Sequence, residues 1–265
     1  MNTIDISYTS LLIVFCVLII PLFILFYYQT GLLKQAVISI FRMTGQLLFI
    51  GIYLKYIFEI NHPIINISWA LIMVIITSVT IISRSELKQK FFIIPVFLGT
   101  FAGIMLTSFF LLFFVLKLKN PYDARYIIPI TGMIAGNCLS AAIIGIRSFY
   151  SNLLKDEEKY KYYLSCGANT SEALFLFIKN AMRDSFSPAI AQMATIGLIS
   201  LPGMMTGQIL GGSSPLLAIK YQIMIMAAIL AGNIITVHLS IFFSKQKSFD
   251  TWGNFKKEIF NKNTN

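Results

Sequence analysis

The residues of this chain that could perform chemistry are few, and none of them completes a catalytic motif. The nearest approach to a phosphate-binding loop is GQILGGSS at residues 207–214, in which Ser213 occupies the position where that loop requires a lysine. The two histidines, His62 and His238, belong to no HExxH sequence, and the chain contains no GxSxG nucleophile elbow. The sequence therefore predicts a protein that is not an enzyme and does not hydrolyse ATP by itself.

Thioethers and side-chain amides are the remaining groups that could contact a small solute. Thioethers favour soft metal ions, and amide oxygens can replace part of an ion's hydration shell. Methionine also fills gaps in apolar cores, and no charge-free segment supplies a carboxylate for a hard cation. The residues alone therefore do not decide whether this chain binds a metal ion. The methionines in question are Met133, Met182, Met193, Met204, Met205, Met224 and Met226, and the amides are Asn137, Gln192, Gln208, Gln222 and Asn233.

The elements that must position these groups are membrane-spanning helices. Of the 265 residues, 57% are hydrophobic and 12% are charged, about half the charged share of a soluble domain. Six charge-free intervals of 21 to 35 residues are each long enough for a helix to cross about 30 Å of hydrocarbon. They lie between Asp5 and Lys34, Glu59 and Arg84, Lys90 and Lys117, Arg125 and Arg147, Asp184 and Lys220, and Lys220 and Lys245.

A seventh span is predicted at residues 36–58. Arg42 and Lys55 fall inside it but near its ends, where long cationic side chains reach the headgroups. The prediction is therefore an all-α polytopic membrane protein with about seven transmembrane helices, forming a single permease-like domain over residues 1–265.

The basic residues predict the orientation of these spans. If the N-terminus is outside, sixteen of the 21 lysines and arginines lie in inner loops or in a basic tail at residues 245–265. The positive-inside rule thus favours the N-terminus outside and the C-terminus inside. The net charge of +10 fits this bias and contact with anionic membrane lipid, and no nucleic-acid-binding motif accompanies it.

The longest polar segment between spans is residues 147–184, predicted on the cytoplasmic side. It holds five of the 11 acidic residues, and a long loop in an otherwise economical chain is more often functional than incidental. Three consecutive acids, Asp156 to Glu158, suit the first turn of a short helix. The expected buried positions of that helix are Leu154, Tyr160 and Leu164.

A glycine turn is predicted to end this short helix. Gly167 suits the left-handed residue after a helix C-terminus, and Asn169 with Glu172 has the spacing of a capping box. A second helix over about residues 170–183 should then lead into the sixth span. A solvated hairpin without a partner would give the same pattern, so periodicity leaves the role of this segment open.

The sixth span carries a predicted break. Pro202 removes a backbone donor and Gly203 relaxes the chain, so the helix should kink or break there. Irregular backbone inside a membrane lies against protein or a water-filled cavity, and transporters often place substrate sites at broken helices. Gly203, Gly207 and Gly211 recur every four residues, a spacing that favours close helix packing. The same spacing occurs at Gly99–Gly103 and Gly132–Gly136.

Several runs of residues together resemble the FetB-like permeases. They are ARYIIP at residues 124–129, GMIAGN at 132–137 and LPGMMTGQIL at 201–210, followed by SP at 214–215 and KYQ at 220–222. The resemblance covers nearly the whole chain. Members of this family are described as membrane subunits of ABC transporters that export iron, with plant relatives linked to aluminium tolerance.

The resemblance implies a homodimer of permeases in a bacterial inner membrane, exporting metal ions. It also implies two separate ABC-type ATPase subunits that bind ATP and Mg²⁺, while this chain binds no cofactor. In such permeases a short helix and a Gly-Ala turn dock into the ATPase. The corresponding residues here are Leu164, Gly167, Ala168 and Glu172, although YKYY at residues 160–163 replaces the small and acidic residues expected upstream.

A translocation path is expected near the two family motifs. Its candidate residues are Met133, Asn137, Pro202, Gly203, Met204, Met205 and Gln208. Two other functions remain compatible with the residues alone. A secondary transporter or channel would share the spans and the broken helix without an ATPase, and a sensor or assembly protein would produce no flux.

Overall fold

The structure is a computed structural model that describes residues 7–250 and 253–260, and it is helical throughout. The helices are α1 (Tyr8–Val17), α2 (Ile19–Tyr27), α3 (Leu33–Ile60), α4 (Pro63–Arg84), α5 (Gln89–Phe110), α6 (Ala124–Lys155), α7 (Glu157–Ser165), α8 (Thr170–Thr195), α9 (Gly203–Leu210) and α10 (Pro215–Ser248). A π-helical segment, Leu111–Val115, extends α5, and a 3₁₀ turn, Lys257–Ile259, lies near the C-terminus. The described residues contain no β-strand, which confirms the all-α class.

Six helical segments within the described ranges are long and apolar enough to cross a membrane. They are Thr9–Tyr27, Leu33–Ile60, Pro63–Arg84, Gln89–Val115, Ala124–Lys155 and Pro215–Ser248. They coincide with six of the seven predicted spans and confirm a polytopic membrane protein. The remaining predicted span, between Asp184 and Lys220, is divided between the second half of α8, an irregular stretch and the short α9.

The core of the bundle is formed by α4, α5, α6 and α10. Helices α5 and α10 approach most closely where α5 has two glycines. A Cβ added at Gly99 would lie 2.5 Å from the backbone nitrogen of Ser240, and one at Gly103 would lie 2.8 Å from that of Thr236. The predicted packing seam at Gly99–Gly103 is therefore confirmed.

The second predicted seam, Gly132–Gly136, is present at Gly132 and absent at Gly136 among the described residues. A Cβ at Gly132 would meet only the terminal methyl of Met73, and nothing lies within 4 Å of one at Gly136. Gly136 is exposed on the outer side of α6, where no helix among the described residues packs against it. Spacing alone does not distinguish a glycine pair that faces a neighbour from one that faces outward.

The first three helices stand largely apart from this core. Helix α2 contains no buried residue, and α3 buries only Ile57. The tilted ring contact of Tyr53 with Trp69, with centroids 4.4 Å apart, joins α3 to α4. The exposed surfaces of α1 and α2 and the middle of α3 are mainly apolar, so lipid or another protein can cover them at little cost.

The helices connect at two ends of the bundle, called here the Tyr122 end and the Gly167 end. At the Tyr122 end, the buried Asn66 donates to the carbonyl oxygen of Tyr122 over 2.8 Å, and the Asn61 side chain accepts from the Ala124 amide over 2.9 Å. At the Gly167 end, Arg147 forms a 2.8 Å ion pair with Glu86. Which end faces the cytoplasm remains a prediction from the basic residues.

Candidate coupling turn and polar helix face

The Gly167 turn joins α7 to α8 with the backbone geometry expected for a glycine helix stop. Gly167 has φ of +91°, a conformation that costs glycine little and strains residues with a Cβ. Its amide donates to the carbonyl of Leu164 over 3.0 Å, and the Ala168 amide donates to that of Tyr163 over 3.1 Å. These bonds satisfy carbonyls that the end of α7 would otherwise leave unpaired.

A capping box fixes the start of α8 immediately after this turn. The Asn169 side chain accepts from the Glu172 amide over 3.0 Å, and the Glu172 carboxylate accepts from the Asn169 amide over 2.8 Å. Helix α8 begins at Thr170, as predicted, but continues beyond residue 183 to Thr195 without interruption. The turn is therefore followed directly by a capped helix of 26 residues, which has Pro188 in its interior.

The surface around the turn is exposed and partly aromatic. Tyr162 on α7 is 65% exposed and Phe175 on α8 is 67% exposed, while Cys166 and Gly167 are also on the surface. These two exposed rings are therefore available for contact with another molecule beside the turn. Sequence reasoning missed Tyr162 and Phe175 as candidate contacts, because their exposure depends on how α7 packs.

The buried side of α7 is narrower than predicted. Tyr160 is 1% exposed and Leu164 is half-buried, but Leu154 is 37% exposed. Helix α6 runs on to Lys155, so Leu154 lies on its outer side and Leu153 fills the core instead. The prediction for Leu154 was wrong because residues 147–155 extend a span rather than begin the short helix.

Tyr160 anchors α7 through its hydroxyl group, which donates to the carbonyl of Gly253 over 2.8 Å. Burial raises the pKa of the Tyr160 phenol; a hydrogen bond with Thr170 opposes this rise and the charge of Asp250 adds to it. The hydroxyl group is therefore protonated, and able to donate, at physiological pH.

The predicted break in the sixth span is present but begins earlier than Pro202. Helix α8 ends at Thr195, Gly197 has φ of +86°, and α9 starts at Gly203 with Pro202 as its N-cap. Residues 197–201 between the two helices are exposed, and Leu198 is 89% exposed. A proline is readily accepted at a helix start, so Pro202 begins α9, whereas the left-handed Gly197 turns the chain.

The glycines of α9 have no packing partner within this chain. Nothing lies within 4 Å of a Cβ added at Gly203 or Gly207, and one at Gly211 would meet only the preceding turn of its own helix. The predicted close approach of another helix at these glycines is therefore not made by the described part of this chain.

The predicted path residues divide into two groups. Met133 and Met204 pack against the same apolar cluster, which also contacts Met224 and Met226. Met205 is buried, and the Oε1 atom of Gln208 is buried without a hydrogen-bond partner. The structure thus brings the motifs of α6 and α9 to one cluster, whereas Asn137, Pro202 and Gly203 lie outside it.

A small cavity adjoins this methionine cluster. Its volume is about 230 Å³, and it lies between the end of α8 and α10. Gln222, one of its lining residues, has an Oε1 atom that is buried without a partner. The lining residues are Met193, Ile196, Gln222, Ile223, Met226 and Ala227. Among the described residues, no group of three or more His, Cys, Asp or Glu side chains could hold a metal ion.

Two amide side chains lie exposed on the outer surface of α6 and α8, which pack together near Gly145 and Ser185. The Ser185 hydroxyl donates to the Ala141 carbonyl over 2.7 Å, and a Cβ at Gly145 would lie 3.2 Å from that hydroxyl. Because the helices are antiparallel, Asn137 and Gln192 lie at similar depth, about 12 Å and 10 Å from this contact along their axes.

These amides belong to a wider surface, called here the polar helix face. The Asn137 side chain donates to the Met133 carbonyl over 2.9 Å, whereas the Gln192 side chain makes no hydrogen bond within the described residues. Exposed amides at such depth are unfavourable against hydrocarbon. The exposed members are Gly136, Asn137 and Ser140 of α6 and Asp184, Ser187, Pro188, Ala191, Gln192 and Thr195 of α8.

Comparison with known proteins places the chain in a family. Residues 8–249 match the model of the uncharacterised protein family UPF0014. This chain belongs to the UPF0014 family. It is 31% identical to UPF0014 membrane protein YjkA of Bacillus subtilis over 231 residues, covering 87% of this chain and 90% of that protein. No solved structure matches it.

Two further UPF0014 relatives carry more informative names. Probable iron export permease protein FetB of Escherichia coli is 27% identical over 252 residues, covering 95% of each chain. Protein ALUMINUM SENSITIVE 3 of Arabidopsis thaliana is 33% identical over 192 residues, covering 72% of this chain and 69% of that protein. The resemblance to the FetB-like permeases is therefore confirmed, and the chain is a multi-pass membrane protein of a permease family.

Proposed function

We propose that this chain is the membrane-spanning permease subunit of an ABC transporter. The observation that carries the proposal is the Gly167 turn, a rigidly capped and exposed connection at one end of the bundle. Helix α8 leads from this turn directly to the break at Ile196–Pro202. Movement of the turn by a bound ATPase would therefore displace the broken segment through one continuous helix.

The ATPase is expected on a separate subunit, because this chain has Ser213 where a phosphate-binding loop needs lysine. ATP and Mg²⁺ would bind to that partner. Leu164, Gly167, Ala168 and Glu172 would form the docking site together with the exposed rings of Tyr162 and Phe175. This arrangement requires the Gly167 end to face the cytoplasm, in agreement with the positive-inside prediction.

A second copy of the chain completes the proposed path. The polar helix face would line a path between two permeases, because its amides are better solvated there than against lipid. The open glycines of α9, Gly203 and Gly207, allow close approach of another backbone. Metal ions are the proposed substrates and export the proposed direction, following the name of the Escherichia coli relative.

Reconstitution tests this proposal. Tagged chain is purified from membranes of a bacterial host that carries it, and co-purifying proteins with a P-loop and an ABC signature are identified by mass spectrometry. The complex is then placed in vesicles and tested for ATP-dependent flux of iron and other metal ions. Co-purification of such an ATPase and ATP-dependent flux support the proposal. Flux driven by an ion gradient without an ATPase would favour the alternative, a secondary transporter or channel.

A further inference from the structure

The C-terminal residues that follow α10 form a folded segment instead of a solvated basic tail. This segment is called here the C-terminal strap and comprises residues 249–250 and 253–260. Phe255 is 6% exposed and Ile259 is 2% exposed. The Lys256 amide donates to the Ser248 carbonyl over 2.9 Å, and the Asp250 amide donates to the Asn254 carbonyl over 3.0 Å. The strap therefore folds back on itself at the Gly167 end.

The strap holds α7 at its one buried residue. Tyr160 is the buried position of α7, and the Phe249 ring lies 5.4 Å from its ring. The Tyr160 hydroxyl donates to the strap carbonyl of Gly253 over 2.8 Å. Leu164, beside the Gly167 turn, lies 3.8 Å from a Cβ built at Gly253. Both an aromatic contact and a hydrogen bond thus join the short helix to the strap.

The same strap also holds two parts of the membrane bundle. The Lys88 amide, in the α4–α5 connection, donates to the Ile259 carbonyl over 2.9 Å, and Leu87 pairs with Phe260 in an antiparallel bridge. The Tyr150 ring of α6 stacks on Phe255, with centroids 6.5 Å apart and planes inclined at 21°. Through these contacts, the strap links α7 to α6 and to the start of α5.

We infer that the C-terminal strap is a positioning element that transmits movement of α7 to the α4–α5 connection and α6. Tyr160 and Phe255 are its positioning residues. Without the strap, α7 connects to the membrane bundle mainly through its two ends, α6 and α8. The inference rests on the proposed function, since α7 moves only if an ATPase docks beside it.

The first test measures the position of α7 in the purified chain and needs no ATPase. Spin labels are attached to Cys166 and to a cysteine replacing the exposed Lys90, in a Cys16→Ala, Cys138→Ala background. We expect a narrow distance distribution in the full chain and one at least twofold broader when the chain ends at Ser248. Phe255→Ala should broaden it as well, and the exposed strap variant Lys256→Ala should not. An unchanged distribution on truncation would overturn the inference.

The second test measures coupling in the complex with the ATPase. In the chain ending at Ser248, we expect unchanged ATPase co-purification and basal hydrolysis, but at least fivefold less solute transported per ATP. Tyr160→Phe keeps the ring and should retain more coupling than Tyr160→Ala. A strap that serves stability alone would lower protein yield and leave transport per ATP unchanged, which would contradict the inference. A wild-type chain that binds no ATPase would instead refute the proposed function, while the distance measurement still tests the strap.

Discussion

Asn169 and Glu172 exchange two hydrogen bonds, of 3.0 Å and 2.8 Å, directly after the Gly167 turn. The pair satisfies two amides at the start of α8 and places a negative charge at the positive end of the helix dipole. Helix α8 therefore begins at the exposed Thr170, and Ala173 and Leu174 bury the inner side of its first turns in the core. In the proposed function, this local order would let movement of the turn reach the broken span through α8.

Loss of the cap should loosen the first turn of α8. We expect Asn169→Ala to destabilise that turn by about 1 kcal/mol, whereas Asn169→Asp, which keeps an acceptor, should change it little. Hydrogen exchange of the α8 amides measures the difference. Exchange at the same rate in Asn169→Ala, Asn169→Asp and the unmodified chain would contradict a stabilising role for the cap.

The orientation of the bundle can be tested with Cys166, which is exposed beside the turn. In a Cys16→Ala, Cys138→Ala background, a membrane-impermeant maleimide should label Cys166 in inside-out vesicles and not in intact spheroplasts. A Lys119→Cys variant lacking Cys166 serves as the control at the Tyr122 end and should show the reverse pattern. Labelling of Cys166 from outside the cell would contradict the proposed docking of a cytoplasmic ATPase.

Substitution by alanine should have opposite effects at a glycine that packs against a neighbouring helix and at a glycine in open space. A Cβ at Gly103 would crowd the Thr236 backbone, whereas Gly45 in α3 has open space around it. We expect Gly103→Ala to destabilise the protein by about 1–3 kcal/mol, because a backbone contact cannot shift freely. Gly45→Ala should be neutral or stabilising by up to about 1 kcal/mol. Thermal unfolding in detergent compares them, and equal midpoints would contradict the packing described for α5.

Water along the polar helix face can be detected by thiol chemistry. A charged, water-soluble reagent modifies thiolates, which form in water and not in hydrocarbon. We expect it to label Asn137→Cys and Gln192→Cys variants in a background without native cysteines. Ile76→Cys, at an exposed apolar position of α4, is the matched lipid-facing control and should stay unlabelled. Protection of all three positions would argue that this face contacts lipid or a dry interface instead of an aqueous path.

Features governed by neighbouring residues were predictable from the sequence. The positive φ of Gly167, the capping box and the start of α8 all follow from hydrogen bonds within a few residues. The break was predicted at Pro202, but Gly197 turns the chain first, because proline is compatible with the start of α9. The residue types near the break thus predicted that a break exists but did not determine the residues at which it begins and ends.

Features governed by distant contacts were less accessible. The glycine spacing at 99–103 and at 132–136 is the same, yet within the described residues only the first pair lies against the backbone of another helix. The C-terminal strap was hidden in the same way, since its lysines suggested a solvated tail while Phe249, Phe255 and Phe260 pack against α6 and α7. Such contacts depend on which faces meet, which local spacing does not determine.

The central claim, that the Gly167 turn receives an ATPase, is tested most directly by ATP hydrolysis in the purified complex. Gly167→Val places a β-branched residue at φ of +91° and should distort the turn, whereas Gly167→Asn is better tolerated there. We expect both variants to insert normally, with substrate-stimulated hydrolysis at least tenfold lower for Gly167→Val and largely retained for Gly167→Asn. Wild-type stimulation in Gly167→Val would contradict the account.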